Sequence, residues 1–374
     1  LRSTFRLALS LPFYWSFRGL GHPTLMPFNY TFSVTYRCNS RCKTCYIWQI
    51  QQRVPSELEL TLDEWERVIK GLGTSPYWVT ISGGEPFLRE DLVDIVRAID
   101  EHNKPKIINI PTNGILWRII PARTKEILEN ISEKTTLVVN FSVDGIGEGH
   151  DEIRGVPGNY GLLKKAYKEV VELKERFCNL IVGIHTVISS FNVHKLPDIY
   201  EVVMEEFRPD QYIAEVAEER NEMDNFGRGI TPPPEEIAKA MDFLIAKARE
   251  GLRAKRWKGL ARVTELFRAQ YYELVKRFYL TGEEQVPSYA GFASAHISPT
   301  GDVWECAVYA TKMGNLRDYD YDFKKLWCSE KAWQIRRNVK KYHPCPLANE
   351  HYSNMLLHVP IIIKIVTRIC MGRL

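Results

Sequence analysis

From Thr31 onward the chain alternates short apolar runs with longer stretches whose apolar residues recur at helical spacing. The runs at 31–36, 77–82, 106–111, 136–143, 180–188 and 210–216 predict strands. Between them, Thr61-Leu-Asp-Glu64 is a capping box that opens a helix, and 91–98, 124–130, 161–176 and 193–207 predict the others. Six β-α units in series predict a parallel sheet curved as a partial TIM barrel. Six units rather than eight leave it open, which suits a bulky substrate. Past Gly229, Thr231-Pro-Pro-Pro234 opens a long helical region, 235–250 and then 260–279, read as a bridge packed on the barrel. Its aromatic residues, Phe267, Tyr271, Tyr272 and Phe278, read as core. Ala295 to Cys306 predicts a β-hairpin turning at Pro299 to Asp302, and a helix follows Met313-Gly-Asn315 as far as about Lys340.

Both ends depart from this rhythm. Leu1 to Pro27 carries Arg2, Arg6 and Arg18, no acid, and an apolar stretch from Leu7 to Phe17 interrupted by Pro12. That run is too short to span a bilayer and lacks a small-residue cleavage pattern, so export is not expected. The chain opens on Leu rather than Met, as a piece of a longer protein would. From His351 the sequence again has no acid, and Lys364 and Arg368 share a helical face apart from most of its isoleucines. Each end reads either as a helix docked on its own fold or as a membrane-surface contact.

Composition narrows the class. A chain of 374 residues, 45% hydrophobic and 26% charged, exceeds the usual single core and is not disordered, so about two domains are expected. Fifty basic against 46 acidic residues give +4, spread along the chain, which offers no support for a nucleic-acid partner. Eight cysteines without a disulfide-like ladder indicate a reducing, cytoplasmic setting.

Three of those cysteines, Cys38, Cys42 and Cys45, share the loop after the first strand, where ligands bind in parallel α/β folds. Spacings of four and three positions let one loop bring three sulfurs to one metal centre, and three ligands rather than four leave a coordination position open for chemistry. A zinc loop with its fourth ligand from elsewhere is the alternative. The second strand runs into Ser82-Gly83-Gly84-Glu85-Pro86, the third into Thr112-Asn113-Gly114, and the fourth into Ser142-Val143-Asp144-Gly145 with His150-Asp151-Glu152-Ile153-Arg154-Gly155 beyond. Read alone, Gly83-Gly84 and Asp144-Gly145 are turns. The sixth strand ends at Glu215 in a charged run to Asp224, either a solvated loop or a place where Glu215 faces substrate as acceptor or base.

Cys-x-x-x-Cys-x-x-Cys followed by Tyr46 resembles the cluster loop of radical S-adenosylmethionine (SAM) enzymes. The resemblance implies a partial (β/α)6 TIM barrel and a [4Fe–4S] cluster on Cys38, Cys42 and Cys45 whose fourth iron chelates SAM. It also implies an electron donor such as flavodoxin or ferredoxin and a 5′-deoxyadenosyl radical that takes hydrogen from substrate. Tyr46, Gly83, Gly84, Glu85, Pro86, Asn113, Ser142, Asp144 and Arg154 fall at the family's cofactor-binding motifs. Asp144 and Ser142 would bind a ribose, and Arg154 a carboxylate.

Residues 288–348 resemble, more loosely, the α+β SPASM or twitch domain, which carries an auxiliary iron–sulfur cluster in many such enzymes. Gly301 with Cys306 fits the family's Gly-x4-Cys element, and Cys345 its late cysteine. Ser288 and Ala348 stand where further cysteines are expected, so Cys306 and Cys345 fall short of four ligands unless Cys328, His343 or Ser288 completes the set. The division expected is therefore 1–27 amphipathic, 28–228 barrel, 229–287 helical bridge, 288–350 SPASM/twitch-like and 351–374 basic and amphipathic. The function expected is hydrogen abstraction from a lipid-like substrate, drawn by an enzyme peripheral at the inner face of the membrane. A peptide- or metabolite-modifying enzyme and a non-catalytic iron–sulfur module are the alternatives.

Overall fold

The computed structural model describes residues 2–254, 259–346 and 348–370; residue 1 and residues 371–374, the tips of the two terminal segments named above, lie outside the described residues. In chain order the elements are α1 (Arg2–Leu20), β1 (Asn29–Thr35), α2 (Ile47–Arg53), α3 (Leu62–Leu72), β2 (Trp78–Gly83), α4 (Leu92–Asn103), β3 (Ile107–Thr112) and α5 (Ile119–Asn130). There follow β4 (Thr136–Ser142), α6 (Glu148–Arg154), α7 (Asn159–Glu172), β5 (Leu180–Ile188), α8 (Leu196–Val202), β6 (Gln211–Val216), α9 (Pro234–Arg253) and α10 (Gly259–Thr281). The chain closes with β7 (Ser294–Ile297), β8 (Asp302–Trp304), β9 (Lys312–Asn315), α11 (Phe323–Trp327), α12 (Glu330–Lys341), α13 (Ala348–Leu356) and α14 (Val359–Cys370).

The six expected strands form within about two residues of their predicted bounds and pair in parallel in sequence order from β1 to β6. On the face turned away from the barrel interior, Val79, Ile81, Ile108, Ile110, Val139 and Ile184 are fully buried against the flanking helices. The Thr61 capping box forms as its spacing requires, with the Thr61 hydroxyl 3.3 Å from the Glu64 amide and the Glu64 carboxylate 2.8 Å from the Thr61 amide. The architecture is an α/β partial barrel joined to a C-terminal α+β region.

The two regions share one sheet. β7 lies beside β1 in parallel register, Asn29 opposite Ser294, and the hairpin partners β8 and β9 continue the sheet antiparallel, giving nine strands in the order β6-β5-β4-β3-β2-β1-β7-β8-β9. The hairpin turns where expected, with Ser298 N donating to Asp302 O and Gly301 at φ +87°.

Several local expectations are corrected. The first segment forms one helix that carries Pro12 inside it. Residues 148–154, for which no element was expected, form α6, and the helix expected to run on to Lys340 is broken by Ser329, whose side chain caps α12. The last segment is two helices, α13 and α14, and α14 docks through Ile361 and Ile365 while Lys364 Nζ pairs with Glu273 at 2.9 Å.

Candidate active site at the strand ends

Beyond β1 the chain leaves the sheet as a loop stitched down from several sides. Glu59, buried, accepts from Tyr36 N and the Thr35 hydroxyl at 2.6 and 3.0 Å. Gln51 Oε1 accepts from Cys38 N at 2.8 Å; Arg41 N and Lys43 N donate to the carbonyls of Arg154 and Ile153 on α6; Tyr46 N donates to Met223 O. Cys38, Cys42 and Cys45 thereby line one wall of a cavity of about 290 Å³ at the carboxyl ends of the strands. Burial pushes all three thiols up, Cys45 to about 12, because a thiolate loses its hydration there. Thiols raised in this way bind a metal with release of their protons.

Gly83 and Gly84 line the same cavity and also fit tightly against this loop. A Cβ on Gly83 would lie 2.3 Å from Thr35 O, and one on Gly84 2.1 Å from Arg37 O. Their neighbouring amides make close bonds there, Gly84 N to Thr35 O at 2.7 Å and Glu85 N to Arg37 O at 2.8 Å. Glu85 likewise turns its carboxylate to the protein, accepting from Thr112 Oγ1, Asn113 N and Phe87 N at 2.9, 2.8 and 3.2 Å. Burial outweighs those bonds and lifts it to about 7. Pro86, also buried, starts the short 3₁₀ turn that follows. Asn113 bridges to the cluster loop through Asn39, at 2.7 Å, and with Ser142 lines the cavity.

Asp144 is taken up by the protein, whereas Arg154 both pairs with it and lines the cavity. Both are buried, and they face each other at 2.7 Å. Asp144 also accepts from Val187 N at 2.8 Å and does not reach the cavity wall. Arg154 reaches on to Cys42 Sγ at 3.8 Å. Burial alone would weaken its charge, but Asp144 and Cys42 hold it protonated. It is thus a fixed cation behind one cluster thiol, with its partner supplied by the protein. Tyr46 lies under the Arg228 guanidinium, 4.5 Å from ring centre to Cζ, beside the thiols rather than on the wall itself.

The rest of the cavity wall is densely charged. Glu215 faces His185 Nε2 at 3.2 Å, and Glu218, Arg220, Glu222, His296 and Glu350 complete it. Burial, aided by Glu215, lifts Glu218 to about 8; burial, aided by the Cys306 thiolate, lifts Glu350 to about 8. Ser33 Oγ on β1 holds His296 Nε2 at 2.7 Å and Glu222 at 3.2 Å, which ties this wall to the cluster strand. Sequence reasoning marked only Glu215 here. Glu218, Arg220 and Glu222 lie in the charged run that follows Glu215, whereas His296 and Glu350 come from distant segments, so no local spacing announces those two.

Further out, Cys306 and Cys345 do come together, and His343 joins them: His343 Nε2 stands 3.4 Å from Cys306 Sγ, and Ser288 Oγ 3.2 Å from His343 Nδ1. Cys328 stays exposed at the end of α11, outside this group.

Comparison with known proteins agrees with this geometry. The model of the Radical SAM superfamily matches residues 32–201, and that of the SPASM iron–sulfur cluster-binding domain matches residues 289–348. Pre-heme d1 synthase of Dinoroseobacter shibae is 29% identical over 219 residues, 58% of this chain and 50% of that protein. Antilisterial bacteriocin subtilosin biosynthesis protein AlbA of Bacillus subtilis is 24% identical over 315 residues, 81% of this chain and 62% of that protein. The chain spans about half the length of the first curated relatives it matches. The solved structure of anSMEcpe with bound AdoMet and the Cp18Cys peptide shares the fold at a TM-score of 0.57 and 19% identity, covering 85% of this chain and 84% of that one. The two matched segments take in the cysteine loop, the strand ends around it and the hairpin that extends the sheet, and on them the chain belongs to the radical SAM superfamily, with a C-terminal SPASM domain and with a [4Fe–4S] cluster and SAM as the cofactors of its barrel.

Proposed function

We propose that this chain cleaves SAM reductively and removes hydrogen from a peptide or a small polar metabolite held in the strand-end cavity. When bound, the cluster and SAM supply the one-electron chemistry and a 5′-deoxyadenosyl radical. Cys38, Cys42 and Cys45 hold the cluster, and the donor set suits it: three thiols on one wall, spread rather than convergent, with no carboxylate among them. Arg154 keeps a positive charge behind Cys42, which favours the thiolate a ligand must be. Asn113 and Ser142 offer hydrogen bonds to SAM from the ends of β3 and β4, the Gly83-Gly84 backbone and Tyr46 border its place, and Glu85 and Pro86 keep that border rigid. Glu215, paired with His185, faces the substrate. An electron donor of flavodoxin or ferredoxin type supplies the electron.

One observation carries the choice of substrate, the charged wall made by Glu215, Glu218, Arg220, Glu222 and Glu350. Setting hydrocarbon against these groups would strip their solvation without replacing it, which disfavours the lipid-like substrate expected from the termini. A polar substrate replaces that solvation with hydrogen bonds. The peptide bound by anSMEcpe supports the same choice. The test is anaerobic reconstitution, reduction and assay for 5′-deoxyadenosine, with peptide, polar-metabolite and lipid pools added in turn. Turnover should appear, be lost in Cys42→Ala and rise most with a polar pool. A chain that holds the cluster but forms no 5′-deoxyadenosine would instead be a non-catalytic iron–sulfur module.

A location at the cytoplasmic membrane face is supported by a separate observation. No helix among the described residues is long and apolar enough to cross a membrane. Yet α1 exposes Phe5, Leu9 and Phe13 along one stripe, α14 exposes Val359, Ile363 and Val366, and Trp15 Nε1 donates to Leu357 O where the two meet. Arg6, Arg18 and Lys364 bond Thr74, Ser288 O and Glu273, so attachment rests on apolar insertion more than on free cations.

A further inference from the structure

We infer that Glu305, Cys306, His343 and Cys345 form a closed, four-donor site for one zinc-like divalent ion, in the place where a SPASM domain would carry an auxiliary iron–sulfur cluster. The chain just past β8 delivers Glu305 and Cys306, and the turn after α12 delivers His343 and Cys345. All four are buried, none more than 6% exposed. The donor atoms of Glu305, Cys306 and His343 lie within 4.8 Å of one another, the one such trio among the described residues. Cys345, hydrogen-bonded through its side chain to Cys306, stands just outside that grouping and is the fourth donor that a bound ion would draw in.

The spacing separates one ion from a cluster. A tetrahedral ion with metal–sulfur bonds of about 2.3 Å and metal–nitrogen or metal–oxygen bonds of about 2.0–2.2 Å holds its donors roughly 3.3–3.8 Å apart. His343 Nε2 is 3.4 Å from Cys306 Sγ and 3.8 Å from Glu305 Oε1. Ligands of a [4Fe–4S] cluster each hold a different iron and so stand wider, as the thiols of the barrel loop do. Two thiols are also two short of the usual four. The auxiliary cluster therefore does not fit these residues.

Three further observations point to a cation. Glu305 Oε2 is buried with no hydrogen-bond partner, a costly arrangement that a metal ligand relieves. Ser288 Oγ engages His343 Nδ1, which aims Nε2 at Cys306 in the way outer partners orient metal-bound histidines. Ser288 stands where the family resemblance expects a cysteine, so the residue that removes a cluster ligand is the one that orients this histidine. Tyr309 N lies 3.4 Å from Cys306 Sγ and its ring packs 4.7 Å from the His343 ring, sealing the site from water. A mixed sulfur, nitrogen and oxygen set selects zinc or another late divalent ion over magnesium or calcium. Held there, the ion ties the 305–309 segment, which gives Ala307 to the cavity wall, to the 343–345 turn.

The full chain with Cys38, Cys42 and Cys45 all changed to Ala, stripped of metal and titrated anaerobically with Co²⁺, isolates the site. One cobalt per chain should bind, with thiolate-to-cobalt charge transfer and the strong visible absorption of a tetrahedral ion, and stoichiometric Zn²⁺ should bleach both. Adding Cys306→Ala should remove the signal; should that variant not fold by circular dichroism, His343→Gln carries the same expectation. The unaltered chain as purified should hold one such ion beyond its cluster iron. Absence of cobalt binding, a weak six-coordinate spectrum, or four irons with sulfide taken up by the triple variant on reconstitution would each overturn the assignment. The readout is metal content and spectrum, so it stands apart from whether the chain turns over SAM.

Discussion

Replacing Gly84 by Ala tests whether the glycines of the second strand end serve the cluster loop. The added Cβ would meet Arg37 O at 2.1 Å, Arg37 C at 2.6 Å and Tyr36 O at 3.0 Å. All are backbone atoms, so relief means moving the loop from β2 by roughly 1 Å or more to reach ordinary contact. That movement breaks two hydrogen bonds, Gly84 N to Thr35 O and Glu85 N to Arg37 O. Breaking each bond and leaving its buried partner unpaired costs about 1.5–2.5 kcal/mol, which puts the total for two at roughly 3–5 kcal/mol. For 374 residues, an unfolding entropy of about 2.1 cal/mol/K per residue gives about 0.8 kcal/mol/K, so Tm should fall by about 4–6 °C. Iron retained after reconstitution should fall with it, since Cys38 is the next residue beyond the displaced carbonyl. Gly161→Ala is the control: nothing lies within 4 Å of its Cβ, it sits in α7, and the change should stabilise by up to about 1 kcal/mol. Calorimetry and iron analysis of both variants decide the matter. A Gly84→Ala chain with unaltered Tm and full iron would refute the reasoning, and the two glycines would then be free to face a ligand.

Asp144→Ala leaves Arg154 buried without its partner, and chemical denaturation should show a loss of about 3–5 kcal/mol; a loss under about 1 kcal/mol would mean that solvent reaches the pair. Glu85, held near 7 in the folded chain, binds more protons there than in the unfolded one. Its contribution is therefore full below its ordinary value of about 4.5 and declines by up to about 3 kcal/mol as pH rises through 7. Denaturation midpoints of the metal-free chain should fall over that window, and Glu85→Gln should flatten the fall; equal slopes would remove Glu85 as the cause. Sedimentation with anionic liposomes should capture the chain with only modest weakening by salt, and Phe13→Glu together with Ile363→Glu should release it. A chain left in the supernatant at low salt would end the case for a membrane location.

The barrel was legible because its strands are short apolar runs rich in Val and Ile, bounded by turns, and periodicity finds those wherever they stand. The cluster loop was legible for a related reason: three thiols in eight positions is a local signal. α6 was not. Its sequence, Glu-Gly-His-Asp-Glu-Ile-Arg, is short and contains a glycine, and tertiary bonds from Arg41 N and Lys43 N to its last carbonyls help hold it in place. That Asp144 is held by Arg154 and lies off the cavity wall turns on one distance that no sequence gives, since two residues that each suit a ligand can also satisfy each other. Likewise, the pairing of β7 with β1 joins Asn29 to Ser294, segments separated by more than half of the chain, and a four-residue strand gives no hint of which edge it seeks.

That pairing bears on how the protein is made. β1, the strand that carries the cysteine loop, finds β2 soon after it leaves the ribosome, but its other edge has no partner until Ser294 to Ile297 have been synthesised. Through most of translation the nascent barrel thus presents an open, apolar edge bordering the very loop that must receive iron, a surface prone to pairing with other chains. Truncations ending before β7 would keep that edge for good, so the SPASM hairpin acts as the clasp that turns an aggregation-prone half-product into a finished sheet.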